Sequence, residues 1–149
     1  MQFIIRADGS VDRGSIQVIE ASPRRVFEDA ARQAILRRQR DDGGWSQLPD
    51  MTSDAYATGQ TLHTLVAGGP ADERTPKLHS AIERALAYLL RTQEKDGSWF
   101  VKSRSKPIQK FFDNGDPHGK DQFISMVATS WATAALAKAG MPRKGAPRQ

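Results

Sequence analysis

Four side chains able to do chemistry lie close together late in the chain: Asp113, Asp116, His118 and Asp121. Carboxylates beside an imidazole could ligate a divalent metal or pass a proton, and histidine is the side chain whose ordinary pKa lies near neutrality. Their spacing fits no ligand pattern of the usual metal sites, and no metal is expected. Simpler roles are at hand, since Asp116-Pro117 starts a turn and Asp121 caps the helix that follows. If the chain holds a ligand site, its residues are His118, Asp121 and Trp131, because residues 100–120 make a long polar loop that leads to that tryptophan. His63 and His79 are single histidines on helices, suited to packing or the surface. Ser125 and Ser130 have no readable His/Asp arrangement around them. No Gly-rich phosphate loop occurs, and no cofactor is expected.

The chain contains no cysteine, which removes thiolate nucleophiles, disulfides and Cys-ligated zinc. At 149 residues, 38% hydrophobic and 26% charged, it can bury a core as one domain. No apolar run approaches the roughly 20 residues of a membrane span, and Met1 to Ile5 is too short for a signal peptide. Of the net charge of +5, the last twelve residues carry +4 through Lys138, Arg143, Lys144 and Arg148, leaving +1 for residues 1–137. The basic balance therefore mostly describes a tail, residues 140–149, which carries Arg143, Lys144 and Arg148 and whose composition predicts disorder. A nucleic-acid partner is not expected.

The elements that must position these residues are mostly helical. Residues 1–22 read as a β-hairpin, with Phe3 and Ile5 and then Ile16 and Val18 alternating around an Asp8-Gly9 turn. Ser22-Pro23 opens a helix over 24–38. A second helix spans Thr52 to Val66, capped by Thr52 or Ser53, with Ala55, Tyr56, Gly59, Leu62, Leu65 and Val66 inward. A third starts at Thr75-Pro76 and ends near Arg91, with Leu78, Ala81, Ile82, Ala85, Leu86 and Leu89 inward. A fourth covers Asp121 to Lys138, with Phe123, Val127, Trp131 and Ala134 inward.

The chain also repeats itself. Gln39-Arg-Asp-Asp-Gly43-Gly-Trp45 and Gln93-Glu-Lys-Asp-Gly97-Ser-Trp99 share the pattern Q-x-x-D-G-x-W at an offset of 54 residues. Upstream, Ala31 pairs with Ala85, Ile35 with Leu89, Leu36 with Leu90 and Arg37 with Arg91. Downstream, Tyr56-Ala57-Thr58 echoes Trp131-Ala132-Thr133. Such self-similarity marks a repeat architecture: two tandem helical hairpins, each first helix ending in a glycine stop.

A Q-x-x-x-G-x-W turn after an apolar helix resembles the QW motif of the squalene-hopene cyclase and prenyltransferase repeat superfamily. Residues 128–136, Ala-Thr-Ser-Trp-Ala-Thr-Ala-Ala-Leu, resemble the helix after that motif, and residues 115–125 resemble bacterial relatives of unassigned function. The resemblance covers 26–139 and implies an incomplete α/α toroid. It also implies that Gln39, Gly43, Trp45, Gln93, Gly97 and Trp99 tie repeats together. The cyclases' Asp-x-Asp-Asp acid, the metal-dependent Asp-Asp-x-x-Asp motif and the zinc-ligating Cys of the protein prenyltransferases are all missing. That weighs against catalysis by this chain alone. A repeat stack also needs about three units to bury its core, and this chain has two.

Residues 2–37 resemble the start of a TonB C-terminal domain, with a D-G hairpin, a Ser-Pro helix entry and an Ala-Ala pair at Ala30-Ala31. The chain departs from that pattern at Arg38-Gln39. The expected division is therefore a hairpin (1–22), α/α repeats (23–139) and a basic tail (140–149). The expected function is a non-catalytic repeat module that associates with a protein or with itself, with room for an apolar ligand. The alternatives are a terpenoid-cyclase-like fragment that needs other segments and a TonB-like envelope adaptor that binds peptide by strand addition. The compartment stays open: cytoplasmic if Met1 is the true start, the cell envelope if the TonB-like segment functions.

Overall fold

A computed structural model describes residues 23–68, 75–106 and 111–140. The expected β-hairpin, and the tail beyond Gly140, lie outside these. The described residues form four helices and no strand: α1 Pro23–Arg37, α2 Ala55–Ala67, α3 Pro76–Thr92 and α4 Gln122–Gly140, the last entered through a 3-10 turn at Gly119–Asp121. The chain divides into two compact units, residues 1–33 and 34–149. In the first, Phe27 to Ala31 of α1 are exposed. The second holds α2 packed against both α3 and α4, around a core that includes Leu36, Trp45, Leu62, Leu89, Trp99 and Ala132.

Caps fix the helix starts. Thr75 accepts from Leu78 N through its hydroxyl at 3.3 Å, with Pro76 at the first helical position. For α2 the cap is Asp54, not Thr52 or Ser53. Its Oδ1 accepts from Ala57 N at 2.8 Å, while the Ser53 hydroxyl is drawn to Asp42 Oδ1 at 2.9 Å.

The inward face of α4 differs from the sequence expectation. Ser125, Ala128, Ala132 and Ala135 are buried, whereas Phe123 is 70% exposed and Met126, Val127 and Ala134 also face out. The cause is close approach. A Cβ on Gly59 of α2 would stand 2.8 Å from Ala132 N and 2.9 Å from the Trp131 carbonyl carbon. Only small side chains fit between backbones that near, so size overrides hydrophobicity in choosing the buried face.

Candidate functional site

The two matching segments, turn 1 (residues 39–45) and turn 2 (residues 93–99), repeat each other bond for bond. Gln39 Nε2 donates to Gly43 O at 2.8 Å, and Gln93 Nε2 to Gly97 O at 2.9 Å. Asp42 Oδ1 accepts from Gly44 N, and Asp96 Oδ1 from Ser98 N, both at 2.9 Å. The indole nitrogens of Trp45 and Trp99 donate to Ile35 O and Leu89 O, each at 2.9 Å, which satisfies carbonyls near a helix end. Gly43 and Gly97 have φ of 90° and 87°, a region that L side chains avoid.

Each tryptophan is then held by a threonine of the next helix. Trp45 N donates to Thr58 Oγ1 at 2.9 Å, and Trp99 N to Thr129 Oγ1 at 3.0 Å. The partner of Thr58 is thus Thr129, four residues before the Thr133 of the sequence echo. After Trp99 the pattern continues as a ladder: Val101 N donates to Ser125 Oγ at 3.0 Å and Ser103 N to Asp121 Oδ1 at 2.8 Å. Two residues of extended chain advance about 6.6 Å and four helical residues about 6 Å. Alternate residues 99, 101 and 103 therefore stay in step with 129, 125 and 121.

Asp121 is buried as the last rung of this ladder and does not cap α4. His118 shares the 3-10 turn with it through the bond Asp121 N to His118 O at 2.9 Å, but their side chains have different partners. His118 Nε2 lies 2.8 Å from Ser98 Oγ, which donates to Asp96 Oδ1 at 2.7 Å. The Ser98 hydroxyl and the Ser98 backbone N–H, both donating to Asp96 Oδ1, hold the Asp96 carboxyl below its ordinary value, with a smaller contribution from the neighbouring His118. Here the serine stands between acid and histidine, and its proton points at the carboxylate. A histidine-activated serine needs the imidazole in the middle, so this arrangement staples the loop to turn 2 and makes no nucleophile. Trp131 lies elsewhere, its ring edge-on to His63 at 5.5 Å between centroids. His118, Asp121 and Trp131 thus have three separate sets of side-chain partners. Among the described residues, no three His, Asp or Glu side chains are grouped to hold a metal.

The unexpected member is Ser98, one of the three variable positions of the repeated turn. The rungs at Asp121, Ser125 and Thr129 could have been found from their four-residue spacing on one helix. Beside turn 1 lies a groove of about 360 Å3 lined by Ile35, Arg38, Arg40, Trp45, Leu48 and Thr61, among others.

No family model matches the chain. It is similar to a drimenyl diphosphate synthase from Streptomyces showdoensis, with 30% identity over 128 residues, 83% of this chain and 20% of the synthase. The similarity to a terpene-synthase-type protein is thus distant, and the chain spans about a fifth of that relative's length. Among solved structures it resembles a possible member of the GH105 family from Salmonella enterica subsp. enterica serovar Paratyphi A str. ATCC 9150. There the TM-score is 0.54 at 17% identity, over 80% of this chain and 33% of that one. That neighbour is not a squalene cyclase, and it bears on fold alone. The fold is mainly helical and α/α-toroid-like.

Proposed function

We propose that this chain is a non-catalytic repeat module for interaction or assembly, built over residues 23–139 and related to squalene cyclase and prenyltransferase repeats. The observation that supports this reading is the use of Gln39. Its amide nitrogen donates to its own turn at Gly43 O and, at 2.8 Å, to Ala81 O of α3, while Arg84 of α3 donates to its oxygen. Arg91 of α3 donates to Asp42 O at 3.0 Å. The turn is hardware for joining one helical hairpin to the next. In this reading Gln39, Gly43, Trp45, Gln93, Gly97 and Trp99 serve structure, and His118, Asp121 and Trp131 position the loop and helices.

The experiment is incubation of the purified chain with farnesyl diphosphate, an acyclic isomer of drimenyl diphosphate, followed by product analysis. The module reading expects no cyclised product, and turnover overturns it. A second reading, a terpenoid-cyclase-like fragment that takes its acid from other chains or segments, draws on the similarity to the synthase and on the groove. Arg38 and Arg40 beside Ile35, Leu48 and Trp45 suit an anionic head on an apolar tail. Saturable binding of farnesyl diphosphate that Arg40→Ala weakens would favour it. The TonB-like adaptor rests on residues 2–20, outside the described residues, and no observation favours it.

A further inference from the structure

Turn 1 and turn 2 are alike inside and unlike outside. Leu36 and Leu90 hold the same place 54 residues apart, yet Leu36 is 5% exposed and Leu90 62%. Gln39 reaches Ala81 O, whereas among the described residues the Gln93 amide bonds only within its own turn. A Cβ on Gly43 would meet Arg84 O at 2.5 Å, but one on Gly97 meets nothing nearer than its own Gln93 at 3.9 Å. What covers turn 1 is α3; turn 2 is held by His118 at Ser98, but among the described residues no helix sits on it as α3 sits on turn 1.

The opposite end of the chain offers the missing half. By the same offset α1 is the counterpart of α3: Phe27 stands for Ala81, Ala31 for Ala85 and Arg37 for Arg91. Ala81 is 2% exposed and Phe27 74%, and Ala31 and Arg37 are exposed too. Turn 2 exposes Glu94 and Asp96 with Lys95 between them, a net charge of −1, while α1 ends in Arg37 and Arg38, so the net charges of the two surfaces are opposite.

We propose that two copies of this chain associate head to tail, with α1 of one copy seated on turn 2 of the other as α3 is seated on turn 1. This rests on the module reading and names its partner. Across the interface the Gln93 amide donates to the Phe27 carbonyl of the second copy, and Arg37 of the second copy donates to the Asp96 carbonyl. Leu90 is covered as Leu36 is. The contact is heterologous, so it leaves one free end of each kind and continues into a ring or a filament.

The absence of cysteine allows a clean test. Ala30→Cys and Lys95→Cys, neither of which removes a proposed contact, are prepared as separate full-length variants, mixed, and treated with a short bis-maleimide. Head-to-tail pairing gives a 30-to-95 product in the mixture and little product from either variant alone. Adding Leu90→Glu to the Lys95→Cys copy lowers the yield by about tenfold or more. Its helical circular dichroism and melting stay as in the parent, because Leu90 is exposed in the single chain. A dominant 30-to-30 or 95-to-95 product, or no product at any concentration, overturns the proposal. Either result leaves the module reading standing, and that reading falls separately on turnover of farnesyl diphosphate.

Discussion

The Gln39 side-chain nitrogen lies 2.8 Å from the Ala81 carbonyl oxygen, 42 residues away in sequence. The same nitrogen closes turn 1 on Gly43 O, so one amide both shapes the turn and docks a helix on it. Gln93 does only the first. Gln39→Ala should therefore cost about 1–3 kcal/mol, and Gln93→Ala about 1 kcal/mol or less. Urea unfolding of the two variants checks the difference, and equal losses would deny that turn 1 bears a docking load.

The two glycines separate strain from crowding. At both positions an alanine adopts an unfavourable φ, costing about 1–2 kcal/mol. At Gly43 the added methyl also meets the Arg84 carbonyl, whereas at Gly97 its nearest neighbour is the Gln93 side-chain nitrogen at an ordinary 3.9 Å. Gly43→Ala is expected to destabilise clearly more than Gly97→Ala, by thermal unfolding of each.

The ladder along α4 gives Asp121 a role that can be told from catalysis. Asp121→Asn keeps an oxygen for the Ser103 N–H and should be nearly neutral, while Asp121→Ala leaves that donor unpaired and costs about 1–3 kcal/mol. Ser125→Ala removes the partner of both Val101 N and Val101 O and falls in the same range. Amide exchange at Val101 and Ser103 should rise in the matching variants.

Tyr88 sets an alkaline limit. Burial first, then the charges of Asp42 and Asp54, push its pKa from 10.0 up to about 12. Above pH 10 the unfolded chain releases a proton that the folded chain keeps. The stabilising contribution is therefore full below pH 10 and is lost as the pH rises through about 12. Stability should decline across that window by denaturant titration, and Tyr88→Phe should flatten the decline.

Much of this was legible in the sequence. The Q-x-x-D-G-x-W repeat located both turns because a positive-φ glycine and a flanking tryptophan are local demands, written in adjacent residues. The α3 stripe was legible because Leu78, Ala81, Ile82, Ala85 and Leu89 combine helical spacing with apolar character. The α4 face was not. Hydrophobic periodicity turned Phe123 and Val127 inward, while the approach of α4 to Gly59, set 73 residues away from Ala132, selected the small residues instead. The partners of His118 were equally hidden, because its bond to Ser98 spans 20 residues of sequence and no spacing rule relates the two.

If turn 2 is half of an interface whose other half is α1 of a second copy, the chain must associate in solution. Light scattering on a size-exclusion column over a range of concentrations tests it most directly. The expected mass rises with concentration above the 16.5 kDa of one chain, and a Leu90→Glu variant stays at 16.5 kDa throughout. A wild-type chain that holds 16.5 kDa at every concentration, or a Leu90→Glu variant that associates as readily as the wild type, would contradict it.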